Sequence, residues 1–283
     1  MEENLGTQRH KEIKMKKNYI KLALIGLVVL AMYVPTMIWM WDRWFAEESY
    51  YSHGILMPIL AIFLIMFKKD ELKAIKQKKN NWGLLLIGLG IIIHLASSWM
   101  RVYFTSGLSM IVLIMGLILY FMGTGYFKKT LAPILFLIFM VPMPMIVIAN
   151  LSVKMKLFAA QIATVFINKI GIQAMVDGST IRTLHSTMMV EGPCSGLRSL
   201  ISLLALGALV AYFMKGGWIR KTILLLLTIP IAICANIFRI TLLTGVAEIY
   251  GEKFAMGKFH DFSGFLLFFV ALVGLMMAKE IVE

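Results

Sequence analysis

The sequence predicts an all-α fold: a polytopic membrane helical bundle of about eight transmembrane helices, with an interfacial helix and a small outer hairpin before helix six. Three observations predict it. Hydrophobic residues make up 60% of the 283, only 15% are charged, and mean hydropathy is +0.83. A soluble domain has roughly 45–50% apolar and about 25% charged residues. The apolar runs reach about 20 residues, the length of a membrane-crossing helix, where barrel strands need about 10. The lysines lie mostly between those runs, so the net charge of +13 reads as membrane topology, and no nucleic-acid partner is expected.

Taken in order, residues 1–19 form a polar, basic cytoplasmic tail. Ile20 to about Met40 is the first span, with Trp39, Trp41 and Trp44 as an interfacial belt. No small-residue cleavage site follows it, so it is read as a retained helix and not a signal peptide. Asp42 to His53 is an acidic-aromatic loop, Gly54 to Phe67 a shorter second span, and Lys68 to Asn81 a loop with six lysines. Trp82 to Trp99 and Gly107 to Tyr126 are spans three and four. Thr130 to Ala149 is span five, broken near its end by Pro142 and Pro144. Asn150 to Ile170 is apolar but carries Lys154, Lys156, Gln161 and Asn168. That pattern suits a helix in the interface or tucked against the bundle. In Gly171 to Glu191, Asp177-Gly178 is a hairpin signal between alternating flanks. Ser195 to Met214, Ile219 to Thr244 and Phe262 to Ala278 complete the set. The expected organisation is a tail (1–19), helices one to five (20–149), an outer-face interfacial helix and hairpin (150–193), and helices six to eight (194–283).

Charge sets the orientation. With a cytoplasmic N-terminus and eight spans, 18 Lys and Arg fall inside and 10 outside. Most of the latter lie in the long connection before helix six, and the short loops are far more lopsided, as the positive-inside rule requires. Both termini are then cytoplasmic.

The run Glu191-Gly192-Pro193-Cys194-Ser195-Gly196-Leu197-Arg198-Ser199 stands at the junction of the polar connection and helix six. If the helix begins near Pro193, Cys194 sits at its N-terminus, where unpaired amides favour a thiolate. Arg198 then lies one turn along on the same face. A small residue packing a helix end is the plainer reading of this stretch alone. The topology adds two groups, because the end of helix seven (Asn236, Arg239) and the start of helix eight (His260, Asp261) fall on the same outer side. An arginine inside an apolar run faces the bundle interior or water. A cysteine, an arginine and a histidine converging on one membrane surface favour chemistry.

On these residues the chain resembles the exosortase/archaeosortase family of multipass membrane proteins, regarded as cysteine transpeptidases. The resemblance rests on the cysteine run above, on Asn236-Ile237-Phe238-Arg239 and on His260-Asp261-Phe262-Ser263-Gly264. Tyr51-Ser52-His53-Gly54 with Leu56 and Pro58 is similar to the family's second-helix stretch, and the histidine of the third motif resembles the bacterial branch. The resemblance implies a thiol protease or transpeptidase at the cytoplasmic (inner) membrane. Cys194 attacks a peptide carbonyl to form a thioester. Arg239 steadies the oxyanion with help from the amides around Ser195 and Gly196. His260 protonates the leaving amine. Arg198, Asn236, Asp261 and His53 have supporting or substrate-binding places. The implied partners are secreted proteins ending in a short motif, a transmembrane helix and a basic tail, cut at the outer face of the lipid bilayer.

Other polar residues have plainer readings. His94 lies mid-span and reads as a packed, hydrogen-bonded core histidine. His185 and Arg182 read as surface residues of the hairpin, and Cys234 as a buried, inert thiol. The two cysteines form no CxxC pair. No HExxH, Walker loop, carboxylate pair or dinucleotide fingerprint occurs, so neither a metal nor a cofactor is expected. The competing class is a transporter with an outer-facing Arg/His site. Against it stand the missing inverted repeat and the clustering of polar groups at one face. A structural scaffold gives no reason for the Cys, Arg and His set.

Overall fold

A computed structural model describes residues 24–190 and 195–283. The helices are α1 (Leu24–Trp44), α2 (Leu56–Phe67), α3 (Lys69–Lys73), α4 (Trp82–Trp99), α5 (Tyr103–Met122) and α6 (Thr124–Leu135), the last continued by a 3-10 turn (Phe136–Met140). Next come α7 (Met145–Lys169), strands β1 (Ala174–Asp177), β2 (Thr180–Thr183) and β3 (Thr187–Met189), and helices α8 (Leu197–Phe213), α9 (Trp218–Tyr250), α10 (Glu252–Ala255) and α11 (Lys258–Val282). Among the described residues, α1, α4, α5, α7, α9 and α11 are long and apolar enough to cross a membrane, and α2 and α8 are shorter apolar helices. The chain is therefore a multipass, helical membrane protein.

The break expected in span five at Pro142 and Pro144 is present; what moves is the end of the span, expected at Ala149. Val141 precedes Pro142 and takes an extended conformation (φ −83°, ψ 110°), as a residue before proline must when the ring crowds the helical region. The helix thus ends at Met140, and α7 starts directly after Pro144. The stretch expected at the interface is the body of this 25-residue helix. Its small face (Ala159, Ala160, Ala163) packs with Ile167 against Ile237 and Ile240 of α9.

The N-terminal helices close on small residues and buried hydroxyls. A Cβ on Gly83 of α4 would lie 2.4 Å from the Tyr120 nitrogen of α5, and one on Gly116 of α5 would lie 2.7 Å from the Ile87 nitrogen of α4. Such close backbone approach supplies the dispersion contact that holds helices together in lipid. Between α1, α4 and α5, Tyr33 shares a hydrogen bond with Ser109 (2.9 Å), Thr36 with Ser106 (2.6 Å), and His94 Nδ1 with Ser106 (3.0 Å). His94 is 4% exposed and its ring packs against Tyr33 at a tilt, centroids 4.1 Å apart, a packed core histidine. Trp44 departs from the expected belt: its indole N–H donates to the Met140 carbonyl at 2.8 Å, fastening the end of α1 to the end of the 3-10 turn.

The sequence expects a hairpin between α7 and α8; the structure has a three-stranded antiparallel sheet, order β1-β2-β3. β3 is too short to announce itself by alternation. The sheet rests on α7 and on the far end of α9. Ile181 and Val190 are buried there, and Glu248 accepts from the His185 backbone N–H and pairs with its Nδ1 at 2.7 Å. His185 and Arg182 are exposed, as surface residues should be. At 1.5 Å per residue α9 rises about 50 Å, well beyond the ~30 Å hydrocarbon core. Its last turns, α10 and the sheet together cap one end of the bundle.

Candidate active site

Cys194, with Glu191, Gly192 and Pro193, lies outside the described residues. The chain after it makes a well-defined turn. Helix α8 begins at Leu197, later than a start at Pro193 would give, because Gly196 has a left-handed backbone (φ 78°) that interrupts the helix. Arg198 is thus a first-turn residue. Gly196 also packs against α9: a Cβ there would lie 2.5 Å from Asn236 Nδ2 and 2.6 Å from its Cγ. Both the torsion and the contact require glycine. Ser195 is fully buried and its Oγ accepts from the Leu197 amide at 3.4 Å, while Ser199 Oγ donates to the Gly196 carbonyl at 3.2 Å. The turn that carries the chain away from Cys194 is therefore fixed from both sides. Within that first turn the Leu200 amide donates to the Gly196 carbonyl at 2.9 Å.

Arg239 projects from α9 into the bundle and is 7% exposed. From Trp218 the helix has risen about 30 Å at this point, the thickness of the hydrocarbon core. The side chain is held by α11. Nε donates to Ser263 Oγ at 2.9 Å, and Nη2 donates to His260 Nε2 at 2.9 Å and to the His260 carbonyl at 3.3 Å. Ser263 in turn donates to that same carbonyl at 2.6 Å. A guanidinium only donates, so His260 Nε2 accepts, and the neutral ring carries its proton on Nδ1.

His260 and Asp261 belong to the first turn of α11, which begins earlier than expected. His260 Nδ1 is 3.7 Å from Asp261 Oδ1, beyond hydrogen-bonding distance, and the Asp261 side chain is 85% exposed. Asp261 thus contributes a nearby charge and does not clamp the ring. Arg198, Ser199, Arg239, His260, Asp261 and Gly264 line one cleft of about 200 Å³, backed by Leu267 and Phe268. The Arg198 Nε is buried without a hydrogen-bond partner among the described residues, and its guanidinium lies 5.9 Å from the Tyr50 ring centroid.

Arg198, Arg239, His260 and Asp261 come together; Ser195, Gly196 and Asn236 form the packed support behind them. His53 does not line the cleft. Its Nδ1 shares a 3.3 Å hydrogen bond with Ser202, about one turn further along α8 than Ser199, and its ring stacks on Tyr51. Burial lowers its basicity, so it braces α8 as a neutral ring. Cys234, expected to be buried, is exposed on the flank of α9, because its neighbours Ala235 and Asn236 take the inward positions. Sequence reasoning missed Ser263 as a partner of Arg239; its place three residues after His260, one turn along, was the available signal. Among the described residues no cluster of three His, Cys, Asp or Glu could hold a metal ion.

A family model of transmembrane exosortases matches residues 41–277. No curated protein and no solved structure matches the chain. The matched region begins at the end of α1 and runs through most of α11, so it holds the cleft and both arginines. The chain therefore belongs to the transmembrane exosortase family.

Proposed function

We propose that the protein is a membrane-embedded cysteine transpeptidase, acting also as a peptidase when water is the acceptor, that cleaves C-terminal sorting signals of secreted proteins. The reading rests above all on one arrangement: a buried arginine held by a histidine and a serine, in a cleft that borders the turn directly after a cysteine. The site faces outward across the cytoplasmic membrane, and both termini are cytoplasmic. The substrate presents a short polar motif, an apolar helix and a basic tail, and is cut between motif and helix.

In the resting site the Nε2 lone pair of His260 is occupied by Arg239. When a substrate carbonyl enters the cleft, Arg239 turns its donor toward that oxygen and Nε2 becomes free to take the Cys194 thiol proton. The sulfur attacks the carbonyl carbon, and the oxyanion is met by Arg239 with help from the amides around Ser195 and Gly196. Collapse breaks the C–N bond, the amine leaves with the proton held by His260, and a thioester remains. An acceptor nucleophile then gives its proton to His260 and attacks the thioester; the thiolate leaves and recovers that proton. Arg198 is suited to a substrate carboxylate at the cleft rim.

The test is processing of a sorting-signal substrate in membranes containing Cys194→Ala or Arg239→Lys protein. Both variants accumulate normally and neither processes substrate. Lysine keeps the charge but not the planar fork that serves Ser263 and the oxyanion together. A transporter would tolerate Cys194→Ser, so retained function in that variant refutes the proposal.

A further inference from the structure

At the end of α8 opposite the cleft, α2, α6 with its 3-10 turn, α8 and the start of α9 leave a groove of about 780 Å³. Its walls include Phe136, Phe139 and Leu225, and its rim residues Phe67, Phe213 and Trp218 are exposed. The groove thus opens on the flank of the bundle, which in a multipass protein faces hydrocarbon. Its volume lies in the range of about 300–1,000 Å³ typical of small-ligand sites.

One end of the groove is cationic. Lys68 and Lys221 both line it and both are half-buried. They approach Tyr212 from two sides: Lys68 Nζ is 5.0 Å from its ring centroid, and Lys221 Nζ donates to its carbonyl at 3.0 Å. Tyr212 is also in the lining, and its hydroxyl is buried with no hydrogen-bond partner among the described residues. An ammonium has three N–H donors, so both lysines keep capacity for an anion. The carboxylate of the lining, Glu71, is paired with Lys129; Lys129, with a smaller share from Lys68, holds it below the usual carboxylate range. Trp218 at the mouth has the amphipathic ring that settles at headgroup level.

We propose that this groove binds an anionic phospholipid, its phosphate on Lys68 and Lys221 with the Tyr212 hydroxyl as a further donor, and an acyl chain along Phe139 and Leu225. Basic pockets between transmembrane helices suit such headgroups. A substrate's apolar helix is the poorer occupant. A helix about 10–12 Å wide fills roughly 120–170 Å³ per residue, so the groove would hold about six residues at most. A basic tail after that helix would also meet Lys68, Lys69, Arg220 and Lys221.

The experiment is native mass spectrometry of the full-length protein in detergent, titrated with dioleoyl-phosphatidylglycerol or dioleoyl-phosphatidylcholine. The wild type retains one phosphatidylglycerol, preferred about tenfold over phosphatidylcholine. Lys68→Gln weakens that retention about tenfold. Ala208→Trp, which fills the groove from α8 and keeps both lysines in the sequence, abolishes it. Equal retention of the two lipids would overturn headgroup recognition. Unchanged retention in both variants would place the lipid elsewhere. A photo-crosslinker at position 225 that captures a substrate helix in place of lipid would overturn the choice of occupant.

Discussion

Arg239 on α9 donates through Nε to Ser263 on α11 at 2.9 Å, and Ser263 passes the contact on to the His260 carbonyl at 2.6 Å. This relay sets the direction of the guanidinium relative to the first turn of α11. Removing the hydroxyl leaves a buried charged group short of an acceptor, at a cost of about 1.5–3 kcal/mol. Ser263→Ala should therefore lower processing by roughly 10–100-fold with the protein still present in the membrane. The check is the initial rate of substrate cleavage at equal protein; an unchanged rate would make Ser263 mere packing.

His260→Ala should stop the first half-reaction. Peptide amines are poor leaving groups without a proton, and in the proposed cycle His260 alone carries it. Incubating the variant with substrate and searching for a Cys194-linked adduct by mass spectrometry should find none. Abundant adduct would limit His260 to the second half-reaction.

Gly196→Ala should damage both stability and activity. The left-handed backbone costs a residue with a side chain about 1–2 kcal/mol, and the new methyl meets the Asn236 amide. Thermal unfolding in detergent should shift down by several degrees, with loss of processing beyond the loss of folded protein. Wild-type behaviour would mean that the turn after Cys194 is not fixed as described.

The two cysteines provide a test of topology. In intact cells a membrane-impermeant thiol reagent should label Cys194 and spare Cys234. Cys234 is exposed on α9, yet it precedes Arg239 by more than a turn inside the apolar run and so faces lipid. Labelling of Cys194 only after permeabilisation would reverse the proposed orientation.

Composition and run length were enough to read a helical membrane bundle from the sequence, because the bilayer demands long apolar segments and leaves them unbroken. The three motifs were legible for a similar reason: Arg239 and His260 are anomalies in apolar surroundings, and such anomalies are visible without coordinates. Element boundaries were less legible. Pro142 and Pro144 announced the break in span five, but Gly196 delays α8 through a single torsion that hydropathy averages away. The partner of a buried charge was not legible at all. That Arg239 reaches Ser263, that His53 braces Ser202 and stays out of the cleft, and that Cys234 points outward all depend on the rotation of α8, α9 and α11 about their axes. That rotation is fixed by packing between helices distant in sequence, such as Gly196 against Asn236. The sequence determined which residues carry the polar chemistry; only the tertiary structure decided which of them meet.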